Sequence, residues 1–214
     1  MTTHRPVALA AAALTLAAAT PVQAEFYGLM NGRSVGRDAL PDMSVEGGVV
    51  LGDLGEVDYR YIGARLNYRA SPELMLYGDL GQTDVDIGDG ADGIGFGVGG
   101  YYVVDGVFTT TDFAIKASYH TVGLEDDDGD EADFTALVLE AIVSGREGLG
   151  ASGNIGWYAN AGIHRLDFDD VGDDDTELGF GGGFVFPSEA GEFYVGLDII
   201  DEMVFGGGFR YFLN

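Results

Sequence analysis

From residue 44 to residue 213, bulky apolar side chains recur at every second position, in runs separated by clusters of Gly, Asp, Ser and Pro. A period of two marks β-strands, whose side chains point alternately to opposite faces. Ten runs are expected to be strands: 44–52, 58–70, 73–84, 92–104, 108–122, 133–145, 154–168, 177–187, 191–200 and 202–213. The first alternates most faintly, so eight strands is the alternative to ten. The stretch 177–186, ELGFGGGFVF, shows what is unusual about the pattern. Leu178, Phe180, Gly182, Phe184 and Phe186 share one face, while Glu177, Gly179, Gly181, Gly183 and Val185 share the other. A soluble antiparallel sheet turns a bulky face to its core and a polar face to water. Here the second face is mostly glycine and suits neither role.

The same division recurs along the chain. Ile94, Phe96, Val98 and Tyr102 oppose Gly93, Gly95, Gly97, Gly99 and Tyr101; Leu137, Leu139, Ala141 and Val143 oppose Ala136, Val138, Glu140 and Ile142. Ile62, Ala64, Leu66 and Tyr68 oppose Tyr61, Gly63 and Arg65. A sheet in lipid must close on itself, because hydrocarbon cannot hydrogen-bond its backbone. Its outer face must then be apolar, and its inner face is free to be polar or small. The expected fold is therefore all-β: a membrane-spanning antiparallel up-and-down β-barrel of about ten strands occupying 44–214. A soluble β-sandwich is the alternative, and it leaves the glycine faces unexplained. Tyr59, Tyr68, Tyr102, Tyr119 and Tyr211 are expected at the membrane interfaces.

The first 24 residues follow a different rule. Arg5 precedes an apolar run from Val7 to Ala19, and Val22-Gln23-Ala24 ends it with a small-x-small site. This pattern is expected to be a cleaved export signal, too short to cross a bilayer as a helix. Residues 25–43 form an N-terminal leader with no assigned structure. Losing Arg5 takes the net charge from −26 to −27, and Lys116 is the only lysine. Such an acidic chain lacks the basic footprint of a nucleic-acid binder. With no cysteine, its stability cannot come from disulfides.

Connections divide into two kinds. Those at 70–73, 104–106 and 187–192 are short, with an intermediate one at 145–153. Those at 84–93, 123–133 and 167–177 are longer and strongly acidic. Strands running up and down would gather the acidic loops at one end, as the long outer loops of bacterial barrels are gathered.

The chain ends FGGGFRYFLN, with Gly208, Tyr211 and Leu213 spaced as in the terminal-strand signal read by the barrel assembly machinery. With the export signal and the hairpin rhythm, this resembles the small outer-membrane β-barrel superfamily, the porin-family and OmpA/OmpX-like barrels of Gram-negative envelopes. Two departures are the final Asn214 and Leu213 in place of a terminal Phe. The resemblance implies residence in the outer membrane, contact with its lipid and lipopolysaccharide, a structural or surface-interaction role, and no cofactor. A narrow porin-like channel for ions or small solutes is the alternative role, and a secreted soluble β-protein binding a ligand or carbohydrate is the alternative of another class.

Candidate chemistry is sparse. Arg65, Lys116 and Arg210 share the inward face with Asp79, Glu140 and Asp198, and are expected to form a lumen charge network, because unpaired buried charge is costly. The acidic loops offer Asp84, Asp86, Asp126, Asp128, Asp130, Asp173 and Asp175 as oxygen donors to divalent cations. None of these fits the twelve-residue calcium loop with its closing Glu, so diffuse counter-ion attraction, bridging to lipopolysaccharide, is expected over a defined metal site. His120 and His164 are the histidines after residue 24, and neither begins the His-x-Ser pattern of lipid A deacylase barrels. Without a nucleophile–base constellation, no enzymatic activity is expected.

Overall fold

The computed structural model describes residues 29–30, 41–54, 57–85, 91–126, 131–145, 155–168, 174–200 and 202–213. The 1–24 segment lies outside them. Ten strands follow one another: β1 (Met43–Leu54), β2 (Val57–Arg69), β3 (Leu74–Val85), β4 (Ala91–Val103), β5 (Thr111–Asp126), β6 (Glu131–Gly145), β7 (Gly156–Phe168), β8 (Asp174–Pro187), β9 (Gly191–Ile200) and β10 (Glu202–Leu213). Each pairs antiparallel with its sequence neighbours, and β1 pairs with β10 to close the barrel. The faint first run is a full strand, so the strand number is ten. Its weak signal reflects Gly47, Gly48 and Gly52, which interrupt the alternation without breaking the backbone ladder.

Register sets the dimensions. Carrying the pairing once around the barrel returns to β1 twelve residues further along. With about 3.3 Å per residue and about 4.8 Å between strands, that stagger tilts the strands about 40° and puts the backbone about 10 Å from the axis. Inward side chains from opposite walls can therefore meet.

The outer surface is apolar. Ile62, Leu66, Leu80, Ile94, Phe96, Val98, Leu137, Leu139, Leu178, Phe180, Phe193 and Phe205 are all exposed, and the most open, Ile94, is 69% accessible. On β8 this row runs from Leu178 to Phe186 and on β10 from Met203 to Leu213. At the tilt given, such rows span roughly 20–25 Å, the height of a transmembrane barrel's apolar band.

The two ends of the barrel differ. At the end holding 70–73, 104–110, 146–155 and 188–190, Tyr68, Tyr102, Phe186, Phe193 and Tyr211 stand outward as an aromatic girdle, with the Phe193 and Phe209 rings 4.6 Å apart. At the other end the outward row turns charged, with Asp58, Arg60, Asp92, Glu125, Asp133, Arg165 and Asp167 exposed. Arg60 and Asp84 pair across β2 and β3 at 2.8 Å.

Two expectations need correction. About half of each long acidic loop is strand: β3 runs to Val85, β5 to Asp126 and β8 starts at Asp174, so the connections between strands at the acidic end shorten to 55–56, 86–90, 127–130, 169–173 and 201. Antiparallel pairing continues past the apolar band, because charged side chains above it can face water on both sides of a hairpin. The acidic end is thus a rim of sheet. Tyr59 is also not interfacial: it is buried inside, on the same face as Tyr61, and Tyr119 stands outward near the middle of β5.

Candidate functional site: the barrel interior

Inward side chains fill the lumen in layers. Toward the acidic end, Val50, Tyr59, Val85, Val122, Leu124, Phe134, Ala136 and Val204 form one buried apolar cluster. Toward the girdle end, Met75, Tyr77, Tyr101, Val103, Ala114 and Ile142 form another. Between and beside them runs a network of buried charge.

The network follows the register. Glu192, Arg210, Glu46, Arg65 and Asp79 are directly opposite one another, in that order, across β9, β10, β1, β2 and β3. Their charges alternate in sign. Arg210 Nη1 donates to Glu192 at 2.7 Å and its Nε to Glu46 at 2.7 Å, across the β10–β1 seam. Asn67 Nδ2 donates to the same Glu46 oxygen at 2.6 Å. Arg65 forms a bidentate pair with Asp79, Nε to Oδ1 at 2.6 Å and Nη2 to Oδ2 at 2.8 Å, and its guanidinium lies 4.2 Å from the Tyr77 ring centroid. A second branch joins Lys116 Nζ to Glu140 at 2.7 Å, and Asn160 Nδ2 to both Glu140 at 2.9 Å and Asp198 at 3.1 Å.

Glycines make these contacts reachable. Asp79 and His120 flank Gly97 on successive strands, and Nε2 of His120 lies 3.0 Å from Asp79 across it. A Cβ on Gly97 would collide with the imidazole. Asn160 and Asp198 flank Gly181 in the same way. Elsewhere the space above glycine holds a ring: Tyr61 lies over Gly63 and Gly81, Tyr77 over Gly99, Tyr158 over Gly183 and Gly196, and Tyr194 over Gly48 and Gly208. The glycine faces therefore do not widen a pore. They are sockets for aromatic, imidazole and carboxylate side chains.

The six charged residues singled out in the sequence, Arg65, Asp79, Lys116, Glu140, Asp198 and Arg210, are all buried in this interior. Glu46 and Glu192 escaped notice, although the alternation of β1 and β9 places them inward, opposite Arg210. Of the acidic residues proposed as oxygen donors, Asp84 is on β3, Asp126 ends β5 and Asp175 is on β8; Asp86, Asp128, Asp130 and Asp173 lie outside the described residues. No cluster of three His, Asp or Glu side chains suited to a metal occurs among the described residues. Gly208, Tyr211 and Leu213 sit on β10 opposite Gly48, Val45 and Met43, on the strand that closes the barrel.

Ten antiparallel strands, closure through β1 and β10, an apolar band and a girdle together decide the architecture. Its fold is that of the outer-membrane β-barrels. Among solved structures, the chain is similar to the KdgM porin (TM-score 0.45, 8% identity, covering 80% of this chain and 99% of that one). It is also similar to the translocator domain of the autotransporter NalP from Neisseria meningitidis (TM-score 0.44, 11% identity, 82% and 90%) and to the NanC porin (TM-score 0.38, 12% identity, 80% and 100%). No protein-family model and no curated protein matches it.

Proposed function

We propose that this protein is an integral outer-membrane barrel with a closed lumen, acting as a membrane-held platform that presents an acidic rim of sheet. The observation that carries the reading is the filled interior: paired charges on β1, β2, β3, β5, β6, β9 and β10, with apolar clusters on both sides along the axis. With these side chains and the buried Leu29 and Met30 in place, a barrel of this radius has no volume left for a water column. The apolar outer band supports residence in lipid, and the strand extensions beyond it support an outward-facing acidic end. The rim carries Asp58, Asp92, Glu125 and Asp133 on exposed positions, and its role is surface interaction through a diffuse cation atmosphere that can bridge to anionic lipopolysaccharide. Asp79 and His120 are close enough to exchange a proton, yet both are buried in the interior, which favours a structural role over catalysis.

Planar-bilayer recording tests the reading. Repeated insertion of the folded protein gives a silent membrane, and reproducible conductance steps from the wild-type chain would replace the platform with a channel.

A further inference from the structure

Two residues that precede β1 lie inside the barrel. Leu29 is 4% and Met30 2% exposed, and both belong to the apolar cluster that also contains Val50, Tyr61, Tyr158, Tyr194 and Val204. Their seat is lined by glycine on three adjacent strands. A Cβ on Gly206 of β10 would collide with the Met30 side chain, one on Gly196 of β9 would stand 3.3 Å from Met30 Cε, and one on Gly48 of β1 would stand 3.0 Å from Leu29 Cδ2. From the neighbouring β2, Arg65 holds the backbone of the pair. Its Nη2 donates to the Leu29 carbonyl at 2.8 Å and its Nη1 to the Met30 carbonyl at 3.4 Å.

The donor count of Arg65 explains the latch. A guanidinium has five N–H donors in a fixed plane and no acceptor. Two go to Asp79, one to the Tyr101 hydroxyl at 3.3 Å, and the remaining two to the carbonyls of Leu29 and Met30. Withdrawing the dipeptide strands two buried donors on a charged group, which is costly unless water follows. It also uncovers Gly206, which has no side chain to refill the space, and one side of the Tyr194 and Tyr158 hydroxyls that rest over Gly48 and Gly196. Loss of the pair and hydration of the lumen are thus one event.

We propose that Leu29 and Met30 form an intramolecular plug, seated on the glycines of β1, β9 and β10 and latched by Arg65, whose withdrawal opens a narrow cation-selective path through the barrel. The path selects cations because the buried interior carries Glu46, Asp79, Asp112, Glu140, Glu192 and Asp198 against Arg65, Lys116 and Arg210 among the described residues. This rests on the closed-lumen reading and concerns what does the closing.

Two variants test the seat and the path separately. The chain has no cysteine, so M30C/G206C introduces one pair, within disulfide reach across the seat. On oxidation of the folded barrel it is expected to cross-link, leaving no thiol open to alkylation. Free thiols in the folded, oxidised protein would overturn the plug. L29D/M30D is expected to show conductance steps in a potassium chloride gradient, with a reversal potential displaced toward that of potassium. Where that variant does not fold, L29G/M30G removes the same side chains without adding charge and is expected to conduct. A folded variant as silent as wild type would overturn the path. Wild-type conductance would instead defeat the closed-lumen reading, and the cross-link would still report whether the seat is occupied.

Discussion

Replacing Asp79 by alanine is the sharpest perturbation of the interior. It removes the carboxylate that binds two of the five Arg65 donors and the contact to His120, while Arg65, 1% exposed in its side chain, stays in place. Breaking a buried pair from one side leaves an uncompensated charge and costs about 3–5 kcal/mol. At a urea slope of about 1–3 kcal/mol per molar, the unfolding midpoint falls by roughly 1–3 M or more. R65M/D79L removes both charges and leaves an apolar pair of similar bulk, which by itself is near neutral. It also deprives the Leu29 and Met30 carbonyls of their donor, at about 1–3 kcal/mol each where no water replaces it. The double variant is therefore expected below wild type by about 2–6 kcal/mol, a range that overlaps the D79A cost. Unfolding is read from the fluorescence of Trp157, the single tryptophan, in detergent micelles, with the heat-dependent gel shift of the folded band as a second measure. A D79A midpoint within about 1 kcal/mol of wild type would refute the reasoning, because it would mean that Arg65 is solvated and that the interior is not closed.

Three further outcomes follow from the same geometry. Phe180, exposed near the middle of the apolar band, changed to Arg is expected to destabilise the folded barrel by about 2–4 kcal/mol in lipid vesicles, and a neutral result would remove lipid from that face. G81V forces the Tyr61 ring from its socket between β2 and β3 and is expected to cost about 1–3 kcal/mol, whereas G47A, whose Cβ meets nothing within 4 Å, stays within about 0.5 kcal/mol; equal urea midpoints would end the socket argument. R210M leaves Glu46 and Glu192 without their shared cation at the β10–β1 seam and is expected to lower the yield of the closed, heat-shifted species in refolding trials by more than the exterior change T176A.

A period of two, carried through ten runs, determined the strand class, the outward and inward faces and the antiparallel order, because side-chain direction along a strand is local geometry. It also put all six candidate lumen charges on the inward face. What it left open was anything set by neighbours across the sheet. Register alone brings Glu46 between Arg65 and Arg210, and lets His120 reach Asp79 over Gly97. The glycine faces, read along one strand, suited neither a core nor a wet surface; only closure shows that sockets such as Gly81, Gly97 and Gly181 receive a ring or carboxylate from a neighbouring strand. Tyr59 at a strand end and the acidic stretches looked interfacial and loop-like, yet pairing carries both into the sheet. Leu29 and Met30 have no alternation to announce them, since their burial depends on a cavity built by strands that come later in the chain.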